Sequence, residues 1–143
     1  MTNFALRHIV DDQELHTAFV LMQELRSHLT DAAAFIAQVR RQAEQHYRLL
    51  GLWRDGELQA LAGYRLQENL IYGRFLYVDD LITASAARSH GLGAKLLDAL
   101  KEEARGQQCA WFVLDTALGN ALGQRFYYRQ GLLGAGMHFR QAL

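Results

Sequence analysis

Arg88-Ser89-His90-Gly91-Leu92-Gly93-Ala94 combines residue types that suit an anionic ligand. The segment lies where a strand pattern gives way to a helical one. The first N–H groups of a helix have no partner inside the helix, and the helix dipole favours negative charge beside them. Gly91 and Gly93 remove side chains that would hold a phosphate away from those groups. Arg88 adds a permanent cation with fork geometry. Taken alone, the segment reads either as a pyrophosphate cradle or as a glycine-rich turn needed only for close strand–helix packing. It is not a Walker loop, since no Gly-Lys-Ser/Thr follows, and it lacks the third glycine of a dinucleotide fingerprint.

The elements around this segment follow from periodicity. Phe4 to Val10 alternates as a first strand. Asp11 and Glu14 stand at capping-box spacing, and Leu15, Ala18, Phe19, Met22, Leu25 and Leu29 form one helical face. A second helix is expected from about Asp31 to Gln45. Tyr47 to Trp53 reads as a strand, Asp55-Gly56 as a hairpin turn, and Glu57 to Leu66 as the return strand. Gln67-Glu68-Asn69 is expected to turn, with a long central strand from Ile71 to Thr83. A third helix begins near Gly91, with Leu92, Leu96, Leu97, Leu100 and Ala104 on one face. Ala110 to Leu114 is an apolar run expected of a strand covered on both sides. Asn120 to Arg129 is a fourth helix, stopped at Gly131, and Leu132 to Leu143 leaves room for one or two terminal strands. The order β-α-α-β-β-β-α-β-α-β(-β) implies an α/β (α+β) class: a mixed, mostly antiparallel central sheet flanked by helices.

A chain of 143 residues suits a single domain spanning 1–143 with a substantial core. Its 15 Lys+Arg balance 15 Asp+Glu, which argues against nucleic-acid binding. One cysteine, Cys109, excludes an internal disulfide framework and suits a reducing compartment. No leader-like start and no membrane-length apolar run are present, so a cytoplasmic protein is expected. The six histidines show no metal-ligand spacing, and no metal is expected. Proline is absent altogether, so Gly, Asp and Asn must punctuate the turns. Trp53 and Trp111 read as core residues, and Cys109 as a buried strand residue.

Two stretches taken together resemble a known family. Val78-Asp79-Asp80-Leu81-Ile82-Thr83 followed by Arg88-Ser89-His90-Gly91-Leu92-Gly93 resembles the acetyl-CoA motif of the GNAT N-acetyltransferase superfamily. Asn120 and Phe126-Tyr127-Tyr128-Arg129-Gln130-Gly131-Leu132 resemble its second cofactor motif. The order of elements is similar over nearly the whole chain. Ser85, Ser89 and Leu132 depart from the commoner Pro, Gly and Phe, and none of the three removes a backbone donor.

The resemblance implies acetyl-CoA as cosubstrate, with Arg88, Ser89, His90, Gly91, Leu92, Gly93 and Ala94 around the pyrophosphate. It implies Leu81, Ile82 and Thr83 along the pantetheine arm, with a strand N–H on the thioester oxygen. Asn120, Gly123 and Tyr127 share one helix face and would offer an amide, a gap and an acid for the leaving thiolate. Asn120 is equally a plain helix cap, and Tyr127 equally a core aromatic. Asp79 and Asp80 are the base candidates, Asp79 by its likeness to the polyamine-acetylating branch. Adjacent strand residues face opposite sides unless a bulge intervenes. An ordinary aspartate, with a pKa of about 3.9, would need burial or a water to serve an ammonium; otherwise the pair are charge ligands or structural acceptors. The family draws acceptor residues from the first two helices, where Glu24, Arg26 and His28 stand, and often pairs two chains, so a homodimer is expected. His138-Phe139 resembles a terminal pair in some members and receives no role. The expected activity is direct acetyl transfer from acetyl-CoA to a primary amine, on a small cationic molecule. The alternatives are a non-catalytic acyl-CoA-binding or regulatory module and, more distantly, a nucleotide-binding α/β protein.

Overall fold

A computed structural model describes residues 3–88 and 90–143. The chain divides into two compact units, Met1–Val113 and Leu114–Leu143.

In the first unit, β1 (Phe4–His8), β2 (Tyr47–Arg54), β3 (Glu57–Asn69) and β4 (Gly73–Thr83) form a continuous antiparallel run. The fifth strand, β5 (Trp111–Leu114), lies beside β4 and completes the order β1-β2-β3-β4-β5. The Ala110 N–H donates to Arg74 O at 2.8 Å, so β5 begins beside the beginning of β4, as a helical crossover requires. Helices α1 (Asp12–Leu25) and α2 (Ala32–Ala43) cover one face. Leu15, Ala18, Phe19, Met22 and Phe35 meet Tyr47, Leu49, Trp53, Leu61 and Ile82 there in one core. Helix α3 (Leu92–Gly106) buries Leu92, Leu96, Leu97, Leu100 and Ala104, the face its periodicity predicts.

The second unit holds α4 (Ala121–Arg129). Asn120 Oδ1 accepts the Gly123 N–H at 3.0 Å and so caps the helix. Gly131, at φ +89°, ends it.

Several expectations are corrected. Gln67 to Asn69 does not turn but continues β3, and the turn falls at residues 70–72. Asn69 Oδ1 accepts the N–H groups of Ile71 and Tyr72 at 3.0 and 2.8 Å, a side-chain turn that leaves Leu70 and Ile71 in solvent and delays β4 to Gly73. Trp111 is not core: it is 57% exposed, its ring tilted against Tyr72 at 5.8 Å. The strand it begins is therefore not covered on both sides. No strand forms among residues 132–143, where the glycines Gly134 and Gly136 interrupt the apolar pattern. Cys109 is not a buried strand residue: it is half-buried in the irregular link just ahead of β5, and burial pushes its thiol up against the opposing effect of Arg74. No helix among the described residues is long and apolar enough to cross a membrane.

Candidate active site

Both sequence segments with chemical character on β4 and α3 lie at the far end of the central strand. β4 has eleven residues and β5 four. Four residues of β5, counted from the Ala110–Arg74 bond, reach to about the level of Val78. Leu81, Ile82 and Thr83 therefore pair with β3 on one side, opposite Ala62, Leu61 and Ala60, while their other edge runs past β5. A strand edge of this kind can take an extended ligand by main-chain hydrogen bonds.

Beyond Thr83 the chain makes a 3-10 turn over Ser85–Ala87. The Ser85 hydroxyl donates to Glu24 of α1, and Arg88 Nε donates to Thr83 O at 3.5 Å. Gly91 then adopts φ +73°, a left-handed conformation that glycine reaches without steric cost, and starts α3. A Cβ placed on Gly91 would meet nothing within 4 Å, so the space above the helix end is open. The first hydrogen bond inside the helix is from Lys95 N to Gly91 O at 3.2 Å. The N–H groups of Leu92, Gly93 and Ala94 precede it, and no side chain among the described residues caps them. The Leu92 side chain is itself buried in the core, so its N–H is what it can offer a ligand. Arg88 and His90 are exposed beside this helix start. Ser89 lies outside the described residues. The donor set fits a diphosphate: bare amides, an αL glycine with open space above it, and a flanking guanidinium.

Asp79 and Asp80 occupy a bulge. The register with β3 shifts between Gly63 and Tyr64: Gly63 faces Asp80 and Tyr64 faces Val78, which leaves Asp79 as the extra residue. The bulge breaks strand alternation and brings both carboxylates toward the α1/α2 face. Arg26, the C-cap of α1, donates to Asp80 Oδ1 from Nε at 3.0 Å and from Nη2 at 2.9 Å, and also reaches Asp79 O at 2.9 Å. Tyr47, at the start of β2, donates its hydroxyl to Asp80 Oδ2 at 2.6 Å. Arg65 on β3 donates to Asp79 Oδ2 from Nε at 2.9 Å and pairs from Nη2 at 2.7 Å. The carboxylate side chains are only 15% and 14% exposed. Asp79 Oδ1 is buried with no partner among the described residues. Burial raises the Asp79 carboxyl above the ordinary aspartate range, Arg65 pulls it back down, and the neighbouring Asp80 charge adds to the rise. Burial, and then Asp80, hold the Tyr47 hydroxyl well above the usual phenol value.

Sequence reasoning missed Tyr47, Arg65 and Gly63, and it named Arg26 only by its place in the chain. Gly63 was the available signal, because a lone glycine inside a strand pattern marks a bulge or a close approach. A Cβ on Gly63 would overlap the Tyr47 hydroxyl and lie 2.6 Å from Asp80 Oδ2. Of the other acceptor-side candidates, Glu24 accepts from Ser85 and His28 is exposed. Two arginines on two aspartates leave the bulge without net charge, so the acidic pair alone does not select a cation.

In the second unit, Asn120 Nδ2 donates to Thr116 Oγ1 at 3.1 Å while its Oδ1 caps α4. A Cβ on Gly123 would come within 2.8 Å of Asn120 Cγ, so the gap at Gly123 is filled by the capping amide. Tyr127 is half-buried, edge-on to Phe126 at 5.4 Å, and burial raises its hydroxyl. A raised phenol keeps its proton at neutral pH and can give it up to a stronger base. His138 Nδ1 lies 3.5 Å from Asp115 Oδ2. Among the described residues no group of three His, Cys, Asp or Glu side chains could hold a metal ion.

The model of the acetyltransferase (GNAT) family matches residues 10–132. An uncharacterized N-acetyltransferase of Bacillus subtilis, YhdJ, is 26% identical over 123 residues, covering 85% of this chain and 86% of that protein. Among solved structures, an aminoglycoside N-acetyltransferase, AAC(6')-Iy, in complex with CoA superposes with a TM-score of 0.85 at 14% identity, over 100% of this chain and 97% of the other. A transcriptional regulator from Bacillus halodurans gives a TM-score of 0.87 at 16% identity, over 99% and 100%. At these identities the two structures speak to the fold.

Proposed function

This chain belongs to the acetyltransferase (GNAT) family, and we propose that it moves an acetyl group from acetyl-CoA directly to a primary amine, within one domain spanning 1–143. The observation that carries the reading is the uncapped start of α3 behind Gly91, beside a β4 edge that outruns β5. Residues 89–94 and Arg88 would hold the diphosphate, and Leu81 to Thr83 would pair with the pantetheine arm and present an N–H to the thioester oxygen. When bound, acetyl-CoA supplies the thioester whose carbon–sulfur bond breaks as the carbon–nitrogen bond forms.

The chain's own residues handle the protons. A carboxylate of the β4 bulge takes one proton from the ammonium, so that the nitrogen lone pair is free to attack. Tyr127 is assigned the proton for the leaving thiolate, and the phenolate left behind recovers one from the newly acylated nitrogen. Asn120 and Gly123 are assigned to the pantetheine side on their match to the family motif. The expected acceptor is a small molecule with a primary amine. Its cationic character rests on the amine itself, since the acidic pair is neutralised by Arg26 and Arg65. The expected setting is cytoplasmic, and the expected assembly a homodimer.

A turnover screen with acetyl-CoA over polyamines, amino acids, aminoglycosides and peptide N-termini tests this reading. Release of CoA thiol with at least one amine is expected. Tyr127→Phe is expected to lower that release by about 100-fold or more; an unchanged rate removes Tyr127 as the acid. The regulatory reading is favoured instead if acetyl-CoA binds and no amine turns over, as the likeness in fold to a transcriptional regulator would allow.

A further inference from the structure

The acetyl-transfer reading leaves two adjacent carboxylates with one task between them, and their surroundings differ. Asp80 is held through both oxygens: Oδ1 accepts twice from Arg26 of α1, and Oδ2 accepts from Tyr47 of β2. Among the described residues Asp79 is held through Oδ2, by Arg65, while Oδ1 is buried without a partner. A buried carboxylate oxygen left unpaired is destabilising, because it has lost its water and gained no donor. The clamp that creates this asymmetry needs bare backbone at Gly63, where any Cβ would strike the Tyr47 hydroxyl.

We propose that Arg26 and Tyr47 are positioning residues for the acceptor's proton: by occupying both oxygens of Asp80 they leave Asp79, whose side chain keeps 15% of its surface exposed, as the bulge carboxyl that takes it. The inference rests on the acetyl-transfer reading and deepens it. The step moves one proton, directly or through one water: an N–H bond of the ammonium breaks, its electron pair stays on nitrogen, and an O–H bond forms on Asp79. The carboxyl later returns that proton to solvent. Among the described residues, four chargeable groups face Asp79: Arg65 from β3, Asp80 from its own strand, Arg26 from the end of α1 and Tyr47 from β2. Burial raises the Asp79 carboxyl and Arg26 lowers it, so the clamp also sets how readily Asp79 accepts.

Carbon-13 NMR titration of the Asp79 carboxyl in the full chain reads this without turnover. In Arg26→Gln the midpoint is expected to move to higher pH by about 0.5–1 unit, because a cation that favours the charged form is gone. Arg26→Lys is expected to restore at least half of the shift. The acid limb of kcat/KM for an accepted amine should move with it and vanish in Asp79→Asn. Tyr47→Phe keeps the ring in the core and is expected to lower kcat several-fold with KM for acetyl-CoA unchanged. An Asp79 midpoint that stays put in Arg26→Gln, or an acid limb that survives Asp79→Asn, overturns the inference while turnover by the wild type still supports the parent reading. If the wild type acetylates no amine, both fall.

Discussion

At the β4 bulge, Asp79, Asp80, Arg26, Arg65 and Tyr47 satisfy one another through short charge-assisted bonds from four elements. At the start of α3 nothing comparable is spent: the cap is a glycine without a side chain, and the first turn carries no acidic residue. The other α-helices show the usual alternative. Asp11, Asp31 and Asn120 each accept a backbone N–H at the start of α1, α2 and α4. The bulge thus supplies its own counter-charges and leaves one oxygen over, which suits handling a proton. The α3 start leaves positive backbone dipoles facing open space, which suits an anion brought from outside.

The contrast breaks most visibly at Gly63. Gly63→Ala drives a methyl group into the Tyr47–Asp80 bond and is expected to cost about 3 kcal/mol, from overpacking together with a lost buried hydrogen bond. A denaturant melt should show it, with the thermal midpoint lower by roughly 10 °C, and a shift within 1 °C would mean the bulge has room that its geometry denies.

The α3 start answers in the opposite sense. Ala94→Glu places a carboxylate at the capping-box position of an uncapped helix, which should raise stability by about 0.5 kcal/mol. The same charge occupies the ground proposed for the diphosphate, so acetyl-CoA affinity should fall at least about tenfold, or 1.4 kcal/mol. Paired thermal melts and binding titrations separate the two effects; a variant that binds acetyl-CoA as tightly as the wild type would place the phosphates elsewhere.

The smallest effect sharpens the bulge. Because the folded chain raises the Asp79 carboxyl above its unfolded value, the folded state binds more protons between the two values. Stability contributed by this group therefore falls as pH rises from the ordinary aspartate range through the folded value. The slope stays below about 1.4 kcal/mol per pH unit, the limit for one proton. Urea titrations across that window should show it in the wild type and lose it in Asp79→Asn; equal slopes would contradict a raised Asp79.

The α3 start was legible in the sequence because its signal is local. Two glycines, an arginine and the switch from strand to helix period all fall within a few residues. The bulge was legible only as an option, since its cause lies across the sheet in Gly63 and its partners come from residues 26, 47 and 65. Asn69 shows the same limit at short range: its side chain builds the turn one step later than composition suggested. Trp111 was misplaced because an apolar run of four residues does not report whether both faces of its strand are covered.

Calorimetric titration of acetyl-CoA into the full chain tests the central claim most directly. A saturable isotherm is expected, with a dissociation constant below about 1 mM, or roughly −4 kcal/mol, weakened in Ala94→Glu. Absence of heat and of saturation at millimolar acetyl-CoA would contradict the claim that the α3 amides grip its diphosphate.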